Sequence, residues 1–444
     1  MRIKASLLCL SAAIVLCSCS KVSGVFEKKE DAPLPGERLS VLELQKSYTP
    51  DAAAQKQGVL LPATWKNDLW PQAAGFPNHS MQNLALNVSG LKKAWSASIG
   101  AGSSSELPLT ARPIVINNTV FTMDTESTVA AFKADTGKKL WSTSVADKKE
   151  DEDVISGGIA FAGNSIFATN GSSEVLALDP DNGTIKWRKR LPAPSRAAPT
   201  ALGGRVFVST LDNRLFALNE QDGSSLWEYD GIGSTAGILG AASPAASTDI
   251  VVPAFASGEI TALRVENGSV AWSDNLSNVR NYGGGLDSLS DIKAMPVMDS
   301  NLVIAMSFSG KMAAIDQTSG TRVWQREIGG SATPWTAGNT VFVLSEDDQL
   351  IALRIKDGAI LWVTQIPRFQ DEKKKKNEIF WTAPLLANGK LILTGSNEKM
   401  LIVDALSGKI ESSKDIGKHI VITPVIANNT IYILAQDGTL LAYR

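Results

Sequence analysis

The chain has 444 residues, with 43 Lys and Arg against 45 Asp and Glu, a formal net charge of -2, and 44% hydrophobic and 20% charged residues. That composition is ordinary for a globular chain, and the charge balance leaves no electrostatic ground for a nucleic-acid partner. The length admits two or three average domains or one large repeat fold.

The first element in chain order is a leader. Arg2 and Lys4 precede an apolar run from Leu7 to Leu16, followed by Cys17-Ser18-Cys19. The run is too short to span a bilayer and has the basic front of a secretion signal, expected over residues 1–18. Leu16-Cys17-Ser18-Cys19 resembles a bacterial lipobox, which implies cleavage before Cys19 and lipidation of that cysteine by several acyl chains, palmitate among them. Cys17 fits less well, because the large Leu16 stands where a small residue is wanted. Ser20, rather than an Asp, follows Cys19 and points to the outer membrane. An ordinary signal peptide that happens to contain cysteines is the alternative. Cys9, Cys17 and Cys19 are the three cysteines of the chain, so the lipidated mature protein keeps no thiol for a disulfide, a metal or nucleophilic catalysis. With no later apolar run near membrane length, the remainder is expected in the periplasm.

Residues 19–60 carry scattered charge, such as Glu27-Lys28-Lys29-Glu30-Asp31, with prolines and few aromatics. They predict a flexible tether. Residues 61–90, with the aromatic and proline-bearing stretch Trp65 to Pro77, predict an ordered lead-in packed on the body.

From residue 91 onward the chain repeats itself, and Gly-x-x-x-Trp recurs at Gly137/Trp141, Gly183/Trp187, Gly223/Trp227, Gly268/Trp272, Gly320/Trp324 and Gly358/Trp362. A further copy, at Gly408, has Ser412 in the tryptophan position. Successive glycines lie 38 to 52 residues apart, the length of a four-stranded propeller blade. In one unit, Ala201 to Val208 reads as two strands about a Gly203-Gly204 turn, Arg214 to Leu218 as a third, and Ser225 to Glu228 as the outermost. No helical period persists, so the fold class is all-β. Innermost strands begin near Pro113, Gly158, Pro199, Pro244, Pro296, Pro334, Pro384 and Pro424, which predicts an eight-bladed β-propeller over 91–444. The last unit stops after its third strand, and Ala94 to Ser98 supplies the missing fourth, so the N- and C-terminal strands are expected to pair and close the ring. A large ring at one place in almost every blade is what inter-blade packing needs, and the tryptophans are read as packing rather than binding residues.

Ala177-Leu178-Asp179-Pro180-Asp181-Asn182-Gly183 ending at Trp187, and Ala314 to Gly320 ending at Trp324, resemble the repeat of pyrroloquinoline-quinone dehydrogenases. Those enzymes typically add adjacent cysteines and a calcium site with a catalytic Asp. Here the propeller has no cysteine and the blades are lean, and fold similarity alone does not carry activity over. His79 and His419, the two histidines, are far apart and support neither a zinc site nor a Ser/His/Asp arrangement. Asp347, Asp348 and Asp437 sit in expected tight turns, and Tyr282-Gly283-Gly284-Gly285 has no following helix to make a phosphate cradle. No catalytic residue, metal or cofactor is therefore expected.

The connections from each outer strand to the next inner strand share one face. Two consecutive ones are long: Tyr229 to Ala242, almost uncharged, and Ser273 to Ala294. Apolar residues on exposed loops make a contact patch, or else Ile238 and Leu239 plug the central channel. Together with the lipobox and the lean blades, these loops resemble the BamB family, lipoproteins of the outer-membrane β-barrel assembly machinery. Ile238-Leu239-Gly240-Ala241-Ala242-Ser243-Pro244 resembles the family's Leu-Arg-Gly-x-Ser-Ala-Pro loop, and Leu286-Asp287-Ser288-Leu289-Ser290-Asp291-Ile292 its Ile-Asp-Arg-Leu-Ser-Asp-Val segment. The resemblance implies that Ile238, Leu239, Leu289 and Asp291 face the periplasmic domains of the barrel-inserting subunit. Ile238 takes the apolar position and Asp291 the acidic one. Leu239 stands where the family has Arg, and Lys293 where it often has a second Asp, so the charge of the surface is changed. Lys373 to Lys376 and Lys148 to Asp153 read as solvated connectors. The expectation is a non-catalytic, lipid-anchored scaffold that binds that subunit and holds unfolded outer-membrane proteins. The rivals are a quinone-dependent dehydrogenase and a lipoprotein that takes a glycan in its channel.

Overall fold

The computed structural model describes residues 48–147, 154–233, 241–277 and 291–444. The expected signal peptide, Cys19, the expected tether up to residue 47 and the connector Lys148 to Asp153 lie outside the described residues.

Eight four-stranded antiparallel sheets follow one another in chain order. Blades 1 to 7 comprise residues 114–144, 158–190, 200–230, 245–275, 297–326, 335–365 and 385–415, and blade 8 joins residues 425–443 to residues 93–98. The expected closure is present: Lys93–Ser98 pairs antiparallel with Thr439–Tyr443, with Trp95 opposite Ala442. Inner strands read as unbroken apolar runs because neighbouring blades cover both faces, whereas outer strands alternate. In blade 2, Ser165–Thr169 and Glu174–Leu178 are buried throughout, while Ile185–Arg190 alternates half-buried and exposed. The innermost hairpins turn through pairs such as Asn117-Asn118, Gly203-Gly204 and Asn428-Asn429, whose positive φ values match the strand twist.

Each tryptophan of the repeat spans two blades. Within its own blade it faces an alanine of the third strand, as in Trp141–Ala131, Trp187–Ala177 and Trp227–Ala217, at a recurrent bulge. Towards the next blade its ring lies over the turn glycine, so a Cβ on Gly183 would meet the Trp141 ring at 2.5 Å. Its indole N–H donates to a backbone carbonyl of that blade, from Trp95–Ala134 at 2.9 Å round to Trp362–Ala405 at 3.0 Å. The packing reading therefore accounts for both the ring and its donor.

The lead-in is the least regular part and the most connected. Between Asn67 and Leu84 it passes once round the centre, meeting the blades in the order 8, 1, 2, 3, 4, 5, 6, 7. Asn67 O accepts from Asn428 N–H, Trp70 exchanges two backbone bonds with Val115, and Pro71 O accepts from Phe161 N–H. Gln72 Nε2 donates to Ala201 O at 2.7 Å; Pro77 and Asn78 carbonyls accept from Ala246 and Met298. Gln82 O accepts from Trp335 Nε1 at 2.9 Å, and Leu84 pairs with Leu386 and Asn388. In seven blades the lead-in pairs with backbone groups on the channel-facing edge of the inner strand, and in blade 6 it meets the Trp335 indole and the Gly338 N–H of the following turn.

Residues 48–60, expected within the tether, instead lie on blade 6. Asp51 exchanges hydrogen bonds with Ile360, the short helix Ala52–Gln55 packs on strand Ile360–Gln365, and Leu60 bonds Asn339. Charge and proline suggested solvation, but the strand offered free donors and acceptors. Lys376 likewise belongs to a short hairpin, Phe369–Asp371 with Lys376–Glu378, rather than to a plain loop.

Candidate functional site

Connections between blades converge on the face opposite the lead-in. The two long ones begin later than expected, because the outer strands run on to Asp230 and Asn275. The base of the first is pinned by buried Glu259, which accepts from the Tyr229 hydroxyl and the Ile232 N–H, both at 2.6 Å. Ile232 itself is 59% exposed, an apolar residue held on the rim by a fixed backbone. Ile238, Leu239 and Leu289 lie outside the described residues. Asp291 is described and buried, at 5% exposure, with its carbonyl accepting from Phe308 N–H at 2.9 Å. Its carboxylate therefore does not stand out as the exposed acidic contact that the resemblance implies; it acts on Lys293.

These connections frame a cavity of about 400 Å³ at the mouth of the channel, lined in part by Ala73 of the lead-in. Its described lining contains Arg112, Arg196 and Lys293 and no acidic residue. Arg112 is surrounded by protein yet opens on the channel; Nη1 donates to Ala73 O at 3.3 Å, and burial lowers its pKa to about 10. Burial also lowers that of Lys293, against the pull of Asp291. None of the three forms an ion pair with a described carboxylate. Apolar Met295, Trp381, Val421 and Ile422 complete much of the wall.

Sequence reasoning did not single out this cluster, although a trace of it is legible. Arg196-Ala197-Ala198-Pro199 and Lys293-Ala294-Met295-Pro296 place a cation at the same distance before the proline that opens an inner strand, and Arg112 immediately precedes Pro113. Beneath the cavity, His79 is buried in the lead-in, with Nδ1 2.7 Å from Pro296 O. His419 contributes its carbonyl to Gln436 N–H. Among the described residues no group of three or more His, Cys, Asp or Glu is placed to hold a metal.

The chain is similar to proteins of two kinds. The family profile described as "Outer membrane protein assembly factor BamB" matches residues 125–364. A second profile, the β-propeller domain of glucose, ethanol and alcohol dehydrogenases, matches residues 80–163. The assembly factor BamB of Yersinia pestis is 27% identical over 246 residues, covering 55% of this chain and 60% of the relative. That of Salmonella typhimurium is 26% identical over 389 residues, covering 78% and 87%. The match thus spans about 60% of the length of the first of these relatives. Among solved structures, BamB from Moraxella catarrhalis superposes with a TM-score of 0.64 at 20% identity, over 80% of this chain and 97% of that one. A europium-containing methanol dehydrogenase gives 0.67 at 13% identity, over 82% and 89%. Both likenesses show the shared propeller and leave the chemistry open. The profile match over more than half of the sequence goes further: the chain belongs to the family of the outer membrane protein assembly factor BamB.

Proposed function

We propose that this chain is a non-catalytic scaffold of outer-membrane protein assembly, anchored at the periplasmic face of the outer membrane through lipidated Cys19. It docks to the barrel-inserting subunit through the two long connections of the cavity-bearing face. The observation that carries the reading is the family match. Exposed Ile232, on a backbone fixed by Glu259, adds a rigid apolar contact to the set. Leu289 is assigned to the docking set by the family resemblance alone, and Asp291 is buried. Client strands are held at the outer blade edges by strand addition. Blade 6 already wears residues 48–60 there, burying Leu361, while Leu140, Leu226 and Val323 just before the tryptophans of blades 1, 3 and 5 stay exposed. The quinone-dependent dehydrogenase reading rests on the shared fold, and the glycan reading on the channel mouth.

The test is co-purification from detergent-solubilised envelopes, comparing wild type with an Ile232→Asp, Ile238→Asp double variant. The barrel-inserting subunit is expected with wild type and at least about tenfold depleted with the variant, the scale of one lost apolar anchor. Wild type that brings down no assembly subunit ends the scaffold reading.

A further inference from the structure

We propose that the mouth of the central channel binds a small organic anion, a carboxylate- or phosphate-bearing molecule with an apolar side. This goes beyond the assembly reading and does not depend on it. The cavity, about 400 Å³, has the volume of a small-molecule site. Ala73 of the lead-in is part of its lining. A chain with more acidic than basic residues nevertheless gathers Arg112, Arg196 and Lys293 here with no carboxylate in the described lining. The three enter from connections leading into blades 1, 3 and 5, so they approach one volume from different sides.

A guanidinium has five N–H donors in a planar fork suited to two oxygens. One donor of Arg112 reaches Ala73 O, and the group lies deep in the molecule without a described carboxylate. The side chain is half-buried, so its remaining donors open on the cavity, where an oxyanion entering from the mouth can accept from them. Asp291 tempers Lys293 from outside the lining. Trp381 and Met295 give the occupant an apolar wall, which favours an organic anion over a bare inorganic one. A nucleic acid is disfavoured, since the cations point into an enclosure rather than along a surface stripe.

The experiment is isothermal titration of the full chain with citrate and, separately, with inorganic pyrophosphate, at low and high salt. Saturable binding of either anion is expected, with Kd below about 1 mM and weaker at high salt. Citrate alone identifies a carboxylate site, pyrophosphate alone a phosphate site, and both a general oxyanion site. Arg196→Gln and Lys293→Gln, at partly exposed positions, are each expected to weaken binding about tenfold without moving the thermal midpoint, the scale of a charged hydrogen bond. Arg112→Gln is expected to abolish binding, and the two other variants carry the test if it misfolds. Heats of dilution alone for both anions, or binding untouched by Arg196→Gln and Lys293→Gln, overturn the proposal.

Discussion

His79 illustrates how far a residue's surroundings can move its chemistry. Its φ of 63° is in the left-handed region, its ring is buried, and Nδ1–H donates to Pro296 O. Nε2 has no partner among the described residues and, with Trp70 and Arg112, lines a cavity of about 20 Å³, room for a single water. Burial, then the Arg112 charge, lower its pKa from 6.5 to about 4, against the pull of the Pro296 carbonyl. A lowered folded pKa means that the unfolded chain takes the proton first. Stability is therefore complete above pH 6.5 and falls as the pH drops through the window down to about 4. The loss should reach about 2 kcal/mol by pH 5. His79→Asn keeps a donor and tolerates the backbone angle. Urea unfolding at pH 7 and pH 5 should show the extra acid sensitivity in wild type and not in the variant; equal sensitivity would refute it.

At the scale of the element, the blade is recognisable because its tryptophan is needed twice, once against an alanine of its own third strand and once over the next blade's turn glycine. The exception supports the rule. Ser412 replaces tryptophan in blade 7, and its cross-strand partner is Ile402 where other blades have alanine. The neighbouring blade 8 has no turn at that place, because its third and fourth strands are joined by pairing of the chain ends. Lys414 instead reaches across to Leu91 O and lies over the Tyr443 ring. Volume has moved from one strand to the other while the glycine platform is missing. Ser412 is exposed, so Ser412→Trp alone should cost about 0.5–1 kcal/mol through contact of the ring with Ile402. Ile402→Ala combined with Ser412→Trp should recover part of that loss, a favourable coupling measurable in a double-mutant cycle. Strict additivity would show that the two positions do not share one space.

For the whole molecule, the ring depends on two long-range events, strand exchange at the termini and the circuit of the lead-in. A chain starting at residue 48 should keep the thermal midpoint of a chain starting at residue 20. One starting at residue 91 keeps every blade strand yet leaves seven inner edges, and the Trp335 indole of blade 6, without their partners. It should aggregate or lose its cooperative transition, as followed by light scattering during thermal melts. A soluble chain from residue 91 with an unchanged midpoint would mean that the circuit is ornamental.

Blade number, strand order and terminal closure were legible in the amino-acid order, because each rests on local repetition: glycine turns, apolar inner strands and a tryptophan at fixed spacing. The missing tryptophan at Ser412 was visible there too, but its reason was not, since Ile402 and the turnless seam of blade 8 meet it only in space. Folding alone decided that residues 48–60 cover blade 6, that Asn67 to Leu84 tours all eight blades, and that Asp291 is buried rather than presented. Those segments lack periodicity, and their places follow from which backbone groups elsewhere lack partners. The convergence of Arg112, Arg196 and Lys293 is of the same kind. The chain separates them by 84 and 97 residues, and ring closure around the channel puts their charges on one cavity.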